Sequence, residues 1–151
     1  MNDLTNKTIL VAGGAGYLGS SLCKAILSNN GNLSIADIDD KKINILLDAL
    51  KIEYPDAKIL SVKLDIKNES SITECVNTTY EHFGSIDGLV NATFGATNKN
   101  LENLSADDFN AANEINLTGS FLLSRATSSK MKAGASIVMF ASMYGIVSPN
   151  P

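Results

Sequence analysis

The chain predicts an α/β fold, a doubly wound parallel sheet with helices on both faces. Three observations carry that expectation. Apolar, β-favouring runs alternate with amphipathic helical patterns along the whole sequence, as in strands joined by helical crossovers. A glycine-rich turn, Ala12-Gly13-Gly14-Ala15-Gly16-Tyr17-Leu18-Gly19, joins the first strand to the first helix. Right-handed crossovers then place the five strands in the order 3-2-1-4-5. In that order a ligand lies across the carboxyl ends of strands one and four, where the order reverses.

Each element has its own local reason. Strand one is Thr8–Val11, and helix one runs from about Tyr17 to Ser28, stopped by Asn29-Asn30-Gly31. Strand two is Asn32–Ala36, ending on Asp37. Helix two spans Lys41 to Lys51, with Ile43, Leu46, Leu47 and Leu50 on one face. Tyr54-Pro55-Asp56 is a turn before strand three, Lys58 to Leu64, which ends at Asp65. Ser70 is expected to cap helix three, which reaches Phe83 with Ile72, Cys75, Val76 and Tyr80 as its apolar positions. Strand four is Gly88–Asn91, followed by a loop over Thr93–Asn100. Ser105-Ala106-Asp107-Asp108 opens helix four with a cap and two acids at the positive end of its dipole. Helix five, about Gly119 to Met131, continues it through Asn116, and strand five is Ser136–Phe140. The remaining residues, 141–151, read as loop.

Bulk properties exclude several functional classes. The 151 residues fit one domain, with 44% hydrophobic and 19% charged residues, a globular rather than disordered balance. The net charge is −4 and no Lys/Arg cluster occurs, so nucleic acid and anionic membranes are not expected partners. No apolar run is long enough to span a bilayer, and the N-terminus lacks a signal-peptide pattern. Cys23 and Cys75 lie far apart on helices and read as reduced core thiols of a cytoplasmic protein. No His/Cys cluster suggests a metal, and the single histidine, His82, reads as a solvated residue at a helix C-terminus.

The glycine turn carries the chemistry. Gly13, Gly16 and Gly19 form G-x-x-G-x-x-G between a strand and a helix, the context that binds a dinucleotide diphosphate. A merely tight turn would not require glycines at all three positions. Asp37 ends strand two, eighteen residues beyond Gly19. A carboxylate there accepts both hydroxyls of an adenosine ribose and repels the 2′-phosphate of NADP. No Lys or Arg lies in the turn, and none follows Asp37 before Lys41, so NAD is expected over NADP. The alternative for Asp37 is a cap on helix two, the role expected of Asp39 or Asp40.

Further motifs follow in order: Leu64-Asp65-Ile66, Asn91-Ala92-Thr93, Asn116-Leu117-Thr118-Gly119 and Phe140-Ala141-Ser142-Met143-Tyr144-Gly145. This ordered set resembles the short-chain dehydrogenase/reductase family, whose fold is a Rossmann-type sheet. The resemblance implies that Asp65 contacts the adenine edge and that Ile66 flanks it. It matches Asn91-Ala92-Thr93 to an Asn-Ala-Gly that lines the cofactor, Asn116 to an Asn that shapes a proton-relay water site, and Ser142 to a Ser that bonds the reacting oxygen. Tyr17, Leu18 and Ile38 complete the expected cofactor contacts. The turn departs from the family's T-G-x-x-x-G-x-G: Ala12 replaces Thr, and Tyr17 stands at the middle Gly. Gly16 instead supplies the spacing of the sugar-nucleotide branch. Thr93 replaces a Gly and narrows the cofactor slot. The ending from Ser142 to Pro151 is similar to bacterial members linked to flagellin modification and acidic-sugar biosynthesis.

The family's acid–base pair is a Tyr with a Lys four residues on, the Lys lowering the Tyr pKa. It follows the Ser by a dozen residues or more, beyond Pro151, so residues 1–151 are expected to be a dinucleotide-binding domain without its catalytic helix and inactive alone. Tyr54-Pro55-Asp56-Ala57-Lys58 has the spacing, but Pro55 prevents a helix there. Tyr144 is no substitute, since residue 148 is Ser; it is a pocket residue or a plain loop aromatic. Ser142 has neither a histidine base nor a nucleophile elbow, which disfavours a hydrolase. The leading expectation is an NAD-dependent oxidoreductase acting on a small-molecule alcohol or carbonyl, sugar-related, and a homo-oligomer (dimer or tetramer) through helices four and five when full length. The alternatives are a non-catalytic dinucleotide-binding module or truncated product, and a nucleotide-sugar epimerase or dehydratase. A chain ending at Pro151 is expected to leave strand five as an exposed, aggregation-prone edge.

Overall fold

The computed structural model describes residues 3–143. Tyr144 and the rest of the ending through Pro151 lie outside the described residues. Five strands form one parallel sheet in the order β3-β2-β1-β4-β5. They are β1 (Thr8–Ala12), β2 (Asn32–Asp37), β3 (Ile59–Lys63), β4 (Gly88–Asn91) and β5 (Ser136–Met139). The helices are α1 (Tyr17–Leu27), α2 (Asp40–Glu53), α3 (Glu69–Phe83), α4 (Ala106–Asn113) and α5 (Ser120–Ser128).

Alternation along the central strands divides the core in two. Leu10 and Ala12 of β1 point to the face covered by α3 and α5, where they meet Ile72, Val76, Leu89 and Leu123. Val11 points to the other face, with Cys23, Ile26, Leu33, Ile35 and Leu50 under α1 and α2. Leu10, Leu33, Ile35, Leu89 and Leu123 are completely buried. Each such side chain contributes about 1.5–3 kcal/mol relative to remaining in water. This double wrapping is why the central strands are nearly continuous apolar runs. On the α3 face a buried Ser34–Thr79 hydroxyl pair, 2.8 Å apart, ties β2 to α3. Thr79 Oγ1 donates to the Cys75 carbonyl, so Ser34 is the donor of the pair. β5 is an edge strand whose Ile137, Val138 and Met139 remain 37–50% exposed.

Several boundaries differ from the sequence expectation. The cap of α3 is Asn68, whose Oδ1 accepts from the amides of Ser70 (2.9 Å) and Ser71 (3.1 Å); Ser70 itself lies inside the first turn. Asn68 prevails because it holds the extended backbone of a cap, φ −109° and ψ 111°. Asp39 caps α2 by accepting from Lys42 N, so Asp37 is not the cap. Strand five stops at Met139, before Phe140, and helix five stops at Ser128, before Met131. The loop after β4 leads into an unanticipated 3₁₀ turn, Leu101–Asn103. α4 and α5 are continuous, as expected, but through a π-helical segment, Glu114–Gly119, that holds Asn116. Ser105 and Asp108 form the reciprocal cap of α4.

Candidate active site

A cleft of about 880 Å³ opens at the carboxyl ends of the strands. The predicted residues converge on it. Gly13, Gly16, Tyr17 and Leu18 line one stretch, Asp37, Ile38, Asp65 and Ile66 a second, and Asn91, Ala92 and Thr93 the floor. Asn116 and Ser142 line it as well. Gly19 is the exception: it is buried against the turn instead of facing the cleft.

The glycine turn is built by close backbone approach. Gly13 has φ +71°, and a Cβ there would stand 2.7 Å from the Ala92 carbonyl oxygen. A Cβ on Gly19 would stand 2.1 Å from the Gly13 carbonyl oxygen, so this glycine lets α1 pack onto the turn. Gly14 is equally confined, at 2.8 Å from Ile35 Cγ2 and 2.9 Å from the Val11 oxygen. The sequence reading passed over Gly14; its signal was the Gly13-Gly14 pair itself. Gly16 has ordinary extended angles, φ −75° and ψ 175°, and serves as the N-cap of α1. No side chain caps α1, so the amides of Tyr17 and Leu18, residues that line the cleft mouth, have no side-chain acceptor. The Tyr17 side chain is 99% exposed and leaves that mouth open.

Asp37 is locked to this turn. Its Oδ2 accepts from the Ala15 amide at 3.0 Å, and its Oδ1 accepts from the Asp39 amide at 3.2 Å. A carboxylate offers about four acceptor positions, so both oxygens retain capacity for ligand hydroxyls. Asp65 is oriented likewise: Oδ1 accepts from Lys67 N at 3.0 Å, and its own amide donates to Ser71 Oγ at 3.0 Å.

At the other end of the cleft, the Asn116 carboxamide brackets Gly95. Oδ1 accepts from Gly95 N at 3.0 Å and Nδ2 donates to Gly95 O at 2.8 Å, which pins the segment after β4 to the π-helical segment. Gly119, in the same segment, lies so close to Ile66 that a Cβ would meet its oxygen at 2.6 Å. Phe94, Ile115, Met139 and Phe140 add an apolar wall that the sequence reading did not assign. Ser142 sits beside that wall, just past β5.

Other candidates stand apart. Tyr54 follows α2, and the Lys58 carbonyl accepts from Leu33 N at the opposite end of the sheet, so their spacing brings them to no common face. Cys23 and Cys75 are buried free thiols, and burial pushes both up to about 12. They are inert at neutral pH. His82 lies in the last turn of α3 with its ring edge-on to Phe83. Among the described residues, no three His, Cys, Asp or Glu side chains gather as a metal site would require, and no helix is long and apolar enough to cross a membrane.

Comparison with known proteins agrees with this geometry. Residues 7–150 match the family model described as short chain dehydrogenase. The post-translational flagellin modification protein A of Campylobacter coli is 38% identical over 91 residues, covering 60% of this chain and 35% of that protein. The trans-4-hydroxycyclohexanecarboxylate dehydrogenase of Sinomonas cyclohexanicum is 31% identical over 149 residues, covering 95% of this chain and 58% of that protein. The crystal structure of levodione reductase superposes with a TM-score of 0.89 at 28% identity, covering 97% of this chain and 58% of that one. The chain thus spans little more than half the length of even its fully aligned relatives. With the match over residues 7–150 and the strand order in agreement, the chain belongs to the short-chain dehydrogenase family, whose members generally use nicotinamide nucleotides.

Proposed function

We propose that residues 1–151 are the dinucleotide-binding part of an oxidoreductase that interconverts an alcohol and a carbonyl with NAD in preference to NADP. The observation that supports it is the convergence of the glycine turn, Asp37 and Ser142 on one cleft. The residues present fit the coenzyme. The turn is a cradle in which a Cβ on Gly13 would strike backbone, the start of α1 has no side-chain cap, and Asp37 has acceptor capacity to spare. When bound, the nicotinamide supplies or takes up a hydride.

The chain's own residues do the rest. The first amides of α1, at Tyr17 and Leu18, hold the diphosphate with the positive end of the helix dipole. Asp37 accepts the adenosine ribose hydroxyls and opposes a 2′-phosphate, while Asp65, Ile66 and Ile38 surround the adenine. Ala92 and Thr93 line the middle of the cleft. Ser142 orients the substrate oxygen. Asn116 holds the segment after β4 through Gly95 and so shapes the space for a relay water. The proton donor, a Tyr with its Lys, belongs outside the described residues, because Tyr54 and Lys58 lie at the wrong end of the sheet. A sugar-related substrate is supported by the Gly16 spacing of the turn, which resembles that of the sugar-nucleotide branch. The apolar wall of Phe94, Met139 and Phe140 favours a second reading, a carbocyclic alcohol. We also place the protein in the cytoplasm, as its unpaired thiols suggest, and assemble it as a homo-oligomer. The exposed Phe109 of α4, Leu117 of the π-helical segment and Phe121 of α5 support that assembly.

The test is thermal shift with NAD and NADP on the full-length protein and its Asp37→Ala variant. A ligand at 100 times its Kd stabilises the folded state by about 2.7 kcal/mol. NAD is expected to raise the melting temperature more than NADP does, and Asp37→Ala to erase the difference. Stabilisation by NADP alone would overturn the coenzyme assignment.

A further inference from the structure

Asn91 ends β4 beneath the cleft, only 5% exposed, and its carboxamide is bonded at both ends. The Thr93 backbone amide lies 3.1 Å from Oδ1. A backbone N–H can only donate, so this contact settles which end of the carboxamide is the oxygen. The Thr93 hydroxyl meets the same Oδ1 at 2.7 Å and therefore donates to it. What Thr93 Oγ1 has left is acceptor capacity alone. At the other end, Nδ2 lies 2.9 Å from Ser120 Oγ and can only donate, so the Ser120 hydroxyl accepts and keeps its own proton to give. Among the described residues no acceptor is bonded to that proton. Thr93 and Ser120 both line the cleft. One buried amide thus polarises two hydroxyls in opposite senses.

We infer that Thr93 and Ser120 form a subsite that reads a ligand hydroxyl, Thr93 Oγ1 accepting its proton and Ser120 donating to its oxygen, with Asn91 as the positioning residue. A hydroxyl answers both groups at once. A carbonyl or ether answers only Ser120, and an ammonium only Thr93. The subsite rests on the dinucleotide reading above, and its place selects which hydroxyl. A Cβ on Gly13 would come within 2.9 Å of Thr93 N, so Thr93 abuts the turn that cradles the diphosphate. The next group along the coenzyme is the second ribose, the one bearing the nicotinamide. Thr93 therefore narrows the slot and supplies a hydroxyl contact that a glycine at this position would lack.

The experiment is calorimetric titration of the full-length protein and its Thr93→Val, Thr93→Ser and Ser120→Ala variants with ADP and with NADH. ADP lacks the second ribose. Thr93→Val and Ser120→Ala are expected to weaken NADH by about tenfold, the weight of one hydrogen bond, and to leave ADP unchanged. Thr93→Ser keeps the hydroxyl and is expected to bind NADH within about twofold of the parent. The ratio of NADH to ADP affinity is the readout, since a merely structural defect weakens both ligands together. An unchanged ratio in Thr93→Val and Ser120→Ala, or a Thr93→Ser variant as weak as Thr93→Val, overturns the subsite while the dinucleotide reading stands. A parent protein that binds neither ligand overturns both.

Discussion

Replacing Gly19 by alanine sets helix propensity against steric fit at one atom. In an open helix the change stabilises, because alanine is preferred to glycine by about 1 kcal/mol. Here the added Cβ would stand 2.1 Å from the Gly13 carbonyl oxygen and 2.8 Å from Gly14 Cα, where ordinary contact begins near 3.4 Å. Both neighbours are backbone, so no side chain can rotate away and α1 must slide off the turn. Overpacking of this kind costs about 1–3 kcal/mol and occasionally more, so the net expectation is a loss of about 2 kcal/mol or more. Two glycines calibrate the effect. Gly84 has φ +78° and nothing within 4 Å, so Gly84→Ala is charged only the left-handed backbone, about 1–2 kcal/mol. Gly16 has extended angles and a milder approach, 3.1 Å to the Gly13 oxygen, so Gly16→Ala is expected to cost less than about 1 kcal/mol. Urea midpoints at constant slope measure the ordering, and ADP added to each variant reports the cradle. Gly19→Ala is expected to lose stabilisation by ADP, whereas Gly84→Ala, remote from the cleft, keeps it. A Gly19→Ala variant as stable as the parent and still stabilised by ADP would refute the reasoning.

Three further outcomes are expected. Thr8 Oγ1 is buried without a hydrogen-bond partner among the described residues, so Thr8→Val, nearly isosteric, is expected to raise stability by about 1 kcal/mol in urea unfolding. Burial holds the Cys23 and Cys75 thiols at about 12, against 9.0 ordinarily. Unfolded thiols ionise above pH 9 and folded ones do not, so this contribution is complete below pH 9 and is lost as pH rises toward 12. The slope is up to about 1.4 kcal/mol per pH unit for each thiol, and Cys23→Ala should remove its share in urea melts across that range. Asn116→Ala removes both bonds to Gly95. Because the site is exposed, global stability is expected to fall by only about 1 kcal/mol, while limited proteolysis over residues 93–100 accelerates several-fold.

Much of the fold was legible because its signals are local. Ile9, Leu10 and Val11 read as a strand by composition. Ile72, Cys75 and Val76 read as a helix face by spacing. The same cleft gathers Gly13, Asp37 and Ser142 because strand order follows from crossover handedness, not from any single contact. The misses are instructive. Asn68 and Ser70 are both competent caps by residue type, and only the extended backbone at Asn68 decides between them. For Asp37 residue type leaves a cap on α2 open as the alternative to a cleft acid, and tertiary structure removes it: the carboxylate turns back 22 residues to the Ala15 amide, a bond that exists only once β1 and β2 are paired.

Sequence alone determined the fold class, the strand order, the glycine turn and the acid at the end of β2, since periodicity and turn chemistry act between near neighbours. Only the tertiary structure decided how the polar side chains divide their bonds. Asn116 reaches Gly95, Asn91 reaches Ser120, and Gly14 needs its missing side chain because Ile35 lies behind it. These are encounters between residues far apart in the chain. Their geometry is set by the packing of the sheet and helices, which no local pattern records.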